Sequence, residues 1–252
     1  MRSFDYIESG KTLLTPHTTS LLAAIHEAKG RQSIQTTIRP DILGTLVAVA
    51  RIQSTDASNR IEGISTSDSR LNDLVSEKVT PRNRNEEEIA GYRDALSVIH
   101  ESHDYIPITP NVILQLHRDL FRHTPLTFAG HFKDSDNVII ERDAHGTSTV
   151  RFAPPSALVT PELIERACSA YTQAIRDGHT DPLLAIAMFI LDFTCIHPFN
   201  DGNGRMSRLL TLLMLCRNGY MVGKYISIEH LIEQSKSCLL YTSDAADDLI
   251  GV

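Results

Sequence analysis

The chain lacks the features that mark several protein classes. Its four cysteines, Cys168, Cys195, Cys216 and Cys238, stand singly with no CxxC pair and no regular spacing. That excludes a disulfide framework and suits reduced thiols in a cytoplasmic protein. No apolar h-region follows the first residues, "MRSFDYIESGKTLL", so no signal peptide is expected. The longest apolar run, Leu183 to Leu191, is far too short to cross a bilayer, which argues against a membrane partner. Basic charge is in deficit. The formal net charge of -7 excludes a protein that depends on general attraction to nucleic-acid phosphates, although a local basic site for a small anion stays open.

What is present is ordinary soluble composition over 252 residues, enough for one large domain or a domain with a smaller companion. Most of it carries helical periodicity. "SLLAAIHEA" begins with Ser20 as a cap, and "RPDILGTLVAVARIQSTDASNRIEG" has Pro40 near a helix start and Gly63 at its stop. "SDSRLNDLVSEKV" reads as a short helix ended by Pro81. Asn85 and the acidic residues after it open "NEEEIAGYRDALSVIHES". Thr109–Pro110 and Thr160–Pro161 punctuate two more helix starts, and Gly178 closes the second. The exception lies between Thr124 and Pro155. There "GHFKDSDNVII" and "HGTSTVRF" flank "ERDAHG" and predict a β-hairpin. The fold expectation is all-α with one β-hairpin.

The most hydrophobic region is interrupted by a polar loop. "DPLLAIAMFILDFTCI" is apolar on nearly all sides and predicts a buried central helix; "SRLLTLLMLCRNG" is almost as apolar. Between them runs "HPFNDGNGRMSR", His197 to Arg208. A loop pinned between two core helices is rigid, as a reacting centre requires. Pro198 breaks the first helix, and His197 can take a proton near neutral pH. Gly202 and Gly204 let the backbone bend and approach a ligand, and Asn203 adds an amide. The second helix starts near Gly204, so its free N–H groups and dipole suit phosphate oxygens, and Arg205 and Arg208 add forked donors. Asp201 would repel a phosphate unless a cation lay between, as Mg²⁺ does when it binds through a carboxylate and substrate phosphates. The set reads as a nucleotide-phosphate and metal site beside a histidine base.

The string resembles the signature of Fic/DOC proteins, most of which transfer AMP from ATP to a hydroxyl side chain of a target protein. Every defined position from His197 to Arg208 matches. The resemblance implies His197 as the base, Asp201 as the Mg²⁺ ligand, Gly202, Asn203 and Gly204 as the phosphate-binding turn, and Arg205 and Arg208 on the phosphates. It implies a mainly helical fold whose hairpin is a flap, at about residues 130–141, that docks a target protein by strand pairing. Within this family (Ser/Thr)-x-x-x-Glu-(Gly/Asn) resembles an inhibitory motif, and Ser58, Glu62 and Gly63 in "STDASNRIEGIST" satisfy it. Its place resembles the class whose inhibitory helix precedes the catalytic core. A Glu62 carboxylate paired with Arg208 would deny that guanidinium to ATP. An autoinhibited enzyme follows, released by a partner, a metal condition or a change of oligomer, a homodimer included.

The expected organisation is an N-terminal helical region over residues 1–84, a catalytic core over 85–237, and a tail over 238–252. "CLLYTSDAADD" resembles a translated sequencing adaptor. The natural chain is therefore expected to continue beyond about Ser237, where many relatives carry a winged-helix domain, and the tail is set aside from fold reasoning. "HESH" spaces His100 and His103 as some metal sites do but supplies no third ligand, and the lone cysteines read as core filler. The alternatives left open are removal of AMP, transfer of another phosphate-containing group at the same site, or a Fic-fold regulatory module without activity.

Overall fold

Helix α8 (Pro182–Ile196) anchors the core, burying Ala185, Ile186, Met188, Phe189, Phe193 and Ile196, while Leu191 on its remaining side is exposed. The computed structural model describes residues 4–38, 40–142 and 148–235. The tail from 238, with Cys238, and the hairpin tip in "ERDAHG" lie outside the described residues. Against α8 pack α7 (Thr160–Asp177) and α9 (Asn203–Arg217). α5 (Arg84–Ser102) and α6 (Pro110–Leu120) complete the main cluster. Ahead of these run α1 (Tyr6–Leu13), α2 (Pro16–Ile38), α3 (Pro40–Ile61) and α4 (Asp68–Val75). A short α10 (Val222–Tyr225) follows α9, and residues 228–235 are helical.

Two antiparallel strands, β1 (Ile139–Arg142) and β2 (Ser148–Phe152), pair Ile140 with Val150 and Arg142 with Ser148, with a register shift beside Ile139. Only the last residues of "GHFKDSDNVII" enter β1. Residues 130–138 instead fold into turns against the polar loop.

The helices are the expected ones, but several begin elsewhere. Ser20 lies inside α2, because Thr15 accepts from the Thr18 N–H and Pro16 starts the helix four residues earlier. Asn83 rather than Asn85 caps α5, accepting from Glu86 N at 3.0 Å. Thr160 does not cap α7; a 3₁₀ turn (Ala157–Val159) runs directly into the helix, so the Thr160 hydroxyl donates back to Ser156 O. α4 stops at Val75, well before Pro81, and is followed by Glu77 at φ +57°. Thr109 caps α6 and Gly178 closes α7 at φ +70°, as their sequence punctuation predicts.

Two packing features position the loop. Gly91 brings α5 onto the end of α6 so closely that a Cβ there would lie 1.9 Å from Leu120 O. Leu71, Leu74, Val75 and Ile89 form a smaller cluster with Ile52 and Ile64, which seats the far end of α3 on α4 and α5. Among the described residues no helix is long and apolar enough to cross a membrane.

Candidate functional site

The polar loop begins where α8 ends. His197 caps that helix in the left-handed region, φ 50° and ψ 63°, with its N–H donating to Phe193 O at 3.0 Å. A non-glycine residue there, directly before a proline, is strained by about 1–3 kcal/mol. The loop is held by contacts within itself and with the end of α6. Asn203 accepts from Phe199 N and donates to Phe199 O, gripping the backbone at 2.9 and 2.8 Å. Gly202 takes φ +81° with Phe121 against it, leaving no room for a side chain.

His117 on α6 supplies a strut that the sequence did not reveal. It lies parallel to Phe199 with ring centroids 3.7 Å apart. Its Nδ1 accepts from Gly130 N at 2.9 Å, so Nε2 carries the proton and donates to Asp201 O at 3.0 Å. Burial pushes its pKa down to about 4, with Arg205 adding to the shift and the Asp201 carbonyl opposing it. The ring is neutral at physiological pH and joins the loop to the segment before β1.

Asp201 faces outward, its side chain 46% exposed. One oxygen accepts from Gly202 N, and the guanidinium groups of Arg205 and Arg84 stand 3.7 and 3.6 Å away. Arg205 lies beneath the loop instead of open to a ligand, with its side chain 2% exposed. It donates to the buried carboxylate of Glu88 at 2.6 Å and lies over the Phe121 ring. Glu88 also receives Arg84 at 2.8 Å, so one buried carboxylate orders both arginines beside Asp201. The pairing spans 117 residues, and no local pattern could have announced it.

α9 starts at Asn203 with no side-chain cap, which leaves its first-turn N–H groups available for an anion. A carboxylate of this chain lies beside that turn. Glu62 follows the last residue of α3, and Gly63 at φ +78° turns the chain away, with Ile64 N returning to Asn59 O. The Glu62 carboxylate bonds Arg208 at 2.7 Å, and a Cβ on Gly204 would meet its Oε1 at 2.1 Å. Gly204 is thus the vacancy in the helix surface that admits an anion. Arg208 also donates to the Ser58 hydroxyl and to Ser58 O, at 2.8 and 2.9 Å. Ser58 is fully buried. Behind it, Tyr92 donates to the buried Glu229 at 3.1 Å.

The His197 ring completes the site. Its pKa is lowered chiefly by burial, countered in part by the Thr194 carbonyl; the nearby Lys133 charge adds to the fall, and Glu62 opposes it. Nδ1 is buried, and no partner meets it in good hydrogen-bond geometry. The imidazole is therefore in its neutral, proton-accepting form at neutral pH. The structure brings His197, Asp201, Gly202, Asn203, Gly204, Arg205 and Arg208 into one loop and helix start, with Ser58, Glu62 and Gly63 from 150 residues away closing over them. His100 and His103 lie elsewhere. Among the described residues no group of three or more His, Cys, Asp or Glu is placed to hold a metal, and burial pushes His100 down to about 4.

A divalent cation fits this donor set only with outside help. Asp201 offers one half-exposed carboxylate, and the anion cradle of α9 lies two residues on, so phosphate oxygens of a bound nucleotide would complete the coordination.

The profile of the Fic/DOC family matches residues 107–215. The chain is 37% identical over 90 residues to a Fido domain-containing protein of Dictyostelium discoideum, a match covering 34% of this chain and 58% of that protein. It is 28% identical over 145 residues to a protein of Caenorhabditis elegans named protein adenylyltransferase fic-1, covering 54% of this chain and 25% of that one. The matches thus span less than two thirds of one relative and a quarter of the other. Among solved structures, a Fic domain containing signaling protein from Bacteroides thetaiotaomicron superposes with a TM-score of 0.72 at 23% identity. That likeness covers 89% of this chain and 81% of the other, and it concerns the fold. The match begins just before α6 and ends within α9, enclosing the hairpin and the whole polar loop: over residues 107–215 this chain carries a domain of the Fic/DOC family.

Proposed function

We propose that the chain is an autoinhibited protein adenylyltransferase that moves AMP from ATP to a Ser, Thr or Tyr hydroxyl of a target protein. The carrying observation is the Glu62 carboxylate lodged on Arg208 and Gly204. The chain's own anion holds the guanidinium that would receive phosphate oxygens, and it does so beside the helix start. In this reading the first turn of α9 and Arg208 hold the triphosphate, while Arg205, clamped by Glu88, positions Asp201. A Mg²⁺ ion held by Asp201 and the phosphates would neutralise charge on the phosphate oxygens. The neutral His197 takes the proton of the target hydroxyl. The hydroxyl oxygen bonds to the α-phosphorus as the bond to the β-phosphate oxygen breaks, and pyrophosphate leaves.

While Glu62 holds Arg208, the terminal phosphate of ATP lacks its guanidinium and the α-phosphorus is misaligned for in-line attack. The β1–β2 hairpin is the element proposed to dock an extended target segment by strand pairing, with Val150 and Phe152 exposed on it. A cytoplasmic location and release by a partner or by homodimerisation belong to the same proposal. The names of the adenylyltransferase relatives support it.

The test is intact-protein mass spectrometry. The Glu62→Gly protein is incubated with ATP, Mg²⁺ and lysate. A mass gain of one AMP on a hydroxyl residue is expected, in excess of wild type. Loss of AMP from a pre-modified protein would assign hydrolysis instead, and no ATP binding after Glu62→Gly would leave an inactive Fic-fold module.

A further inference from the structure

His197 occupies a left-handed conformation that its own chemistry disfavours, so something outside α8 must hold it there. The residue that does so lies 64 positions earlier. Lys133 donates its main-chain N–H to Pro198 O at 2.8 Å. Its ammonium donates to Ile196 O at 3.2 Å and to the Asn137 side chain at 2.9 Å. Ile196 and Pro198 are the neighbours of His197 on either side. Lys133 is buried, only 3% exposed.

We propose that Lys133 is the positioning residue for His197, clamping the two carbonyls that flank it so that the imidazole is presented from a restrained backbone. The inference rests on the reading of His197 as the proton acceptor. Geometry explains why the clamp is a lysine. The main-chain bond to Pro198 O needs only an N–H, but reaching back to Ile196 O needs a long side chain ending in several donors. Burying an ammonium is costly unless its donors are used, and here two carbonyl-type oxygens receive it. Neutral Asn137 fixes the far side of the ammonium and also donates to Phe199 O at 3.4 Å. The same segment meets the loop again through Gly130 and His117, and through Asp134, which accepts from Asn200. Residues 130–137 thus act as a cradle for the loop.

The positive charge has a second effect. Two charged groups shift the ring: Lys133 disfavours a second positive charge, and Glu62 on the other side favours one. Lys133 therefore holds His197 in place and adds to the burial that keeps it neutral. An arginine could preserve both effects, whereas a methionine of similar length would preserve neither.

The test uses the full chain with ring-labelled histidine, its His197 signal assigned by difference from His197→Ala. In Lys133→Met the His197 signal should move and its titration midpoint rise, while Lys133→Arg stays near wild type. In the Glu62→Gly background Lys133→Met should lower the transfer rate by about 10²-fold, the scale of a small misplacement. Its Mg-ATP affinity, read by calorimetry, should stay the same. An unmoved His197 signal and midpoint in a folded Lys133→Met protein would overturn the inference. Should that variant not fold, Asn137→Ala frees one end of the clamp, and the same signal must shift in the same direction or the idea fails. Because the histidine readout needs no turnover, absence of transfer in every variant would count against the proposed function and leave the clamp by Lys133 standing.

Discussion

Removing Glu62 should tighten ATP binding, and the structure sets the scale. The Arg208–Glu62 pair spans 2.7 Å, with side chains 11% and 36% exposed. Two unit charges about 4 Å apart attract by about 4 kcal/mol at the effective dielectric of a protein surface. Partial exposure of Glu62 and the entropy of fixing its side chain reduce this to a net of about 1–2 kcal/mol. If the pair must open before Arg208 meets a phosphate, wild-type affinity for Mg-ATP is weakened by that amount, roughly 5- to 30-fold. Calorimetric titration of Glu62→Gly against wild type measures it. A double-mutant cycle isolates the cause: in an Arg208→Ala background, Glu62→Gly should change affinity by less than about twofold. Equal affinity in wild type and Glu62→Gly, or a gain that survives loss of Arg208, would refute the competition.

Three further outcomes are expected. His197→Ala should abolish AMP transfer in the Glu62→Gly background while leaving Mg-ATP affinity within about twofold, as for a group acting only on the reacting proton; retained transfer would remove His197 from the base role. Gly91→Ala would force a Cβ to within 1.9 Å of Leu120 O, so α5 and α6 must separate. A loss of about 3 kcal/mol should lower the melting temperature by about 6–12 °C by calorimetry, and an unchanged melt would mean the helices can shift freely. Arg70 holds the Glu86 carboxyl at about 2, helped by the Arg82 N–H and the Thr66 hydroxyl, against a usual 4.5. A depressed carboxyl contributes stability above its unfolded value and loses it as pH falls from about 4.5 towards 2. Glu86→Gln should make that acid limb of the stability curve shallower in denaturant melts between about pH 5 and 2, and an unchanged slope would refute the contribution of this carboxyl.

The sequence made the site's parts legible because they are contiguous. The loop from His197 to Arg208 carries its residue types in one string, and the pairing of Glu62 with Arg208 is the arrangement that the upstream motif implies. Helix identities followed from apolar spacing and from Pro and Gly punctuation. Cap positions were less legible, since Thr15, Asn83 and Ser156 compete locally with the residues that look most cap-like. What could not be read was support from afar. Glu88 draws Arg205 beneath the loop, His117 joins Asp201 to Gly130, and Tyr6 on α1 donates to Asp192 on α8, each across 84 residues or more except for the Gly130 end. Such partners are ordinary helix or loop residues until the fold brings them together.

Ser58 gives the proposed inhibition a particular character. It grips Arg208 by two bonds, one to its hydroxyl and one to its carbonyl, so the helix that supplies the inhibitor also builds the wall holding the arginine. Under the proposed function α3 would have no need to leave when nucleotide arrives. The moving part is the end of one glutamate side chain, and rotations of that kind take picoseconds to nanoseconds at exposed positions. With about 1–2 kcal/mol holding it, roughly 3–17% of molecules would have Arg208 released from Glu62 at any instant. On that proposal the device would be a leaky resistor in rapid equilibrium, with an output that rises smoothly with nucleotide concentration, and a regulator would need only to bias a rotamer to turn it up.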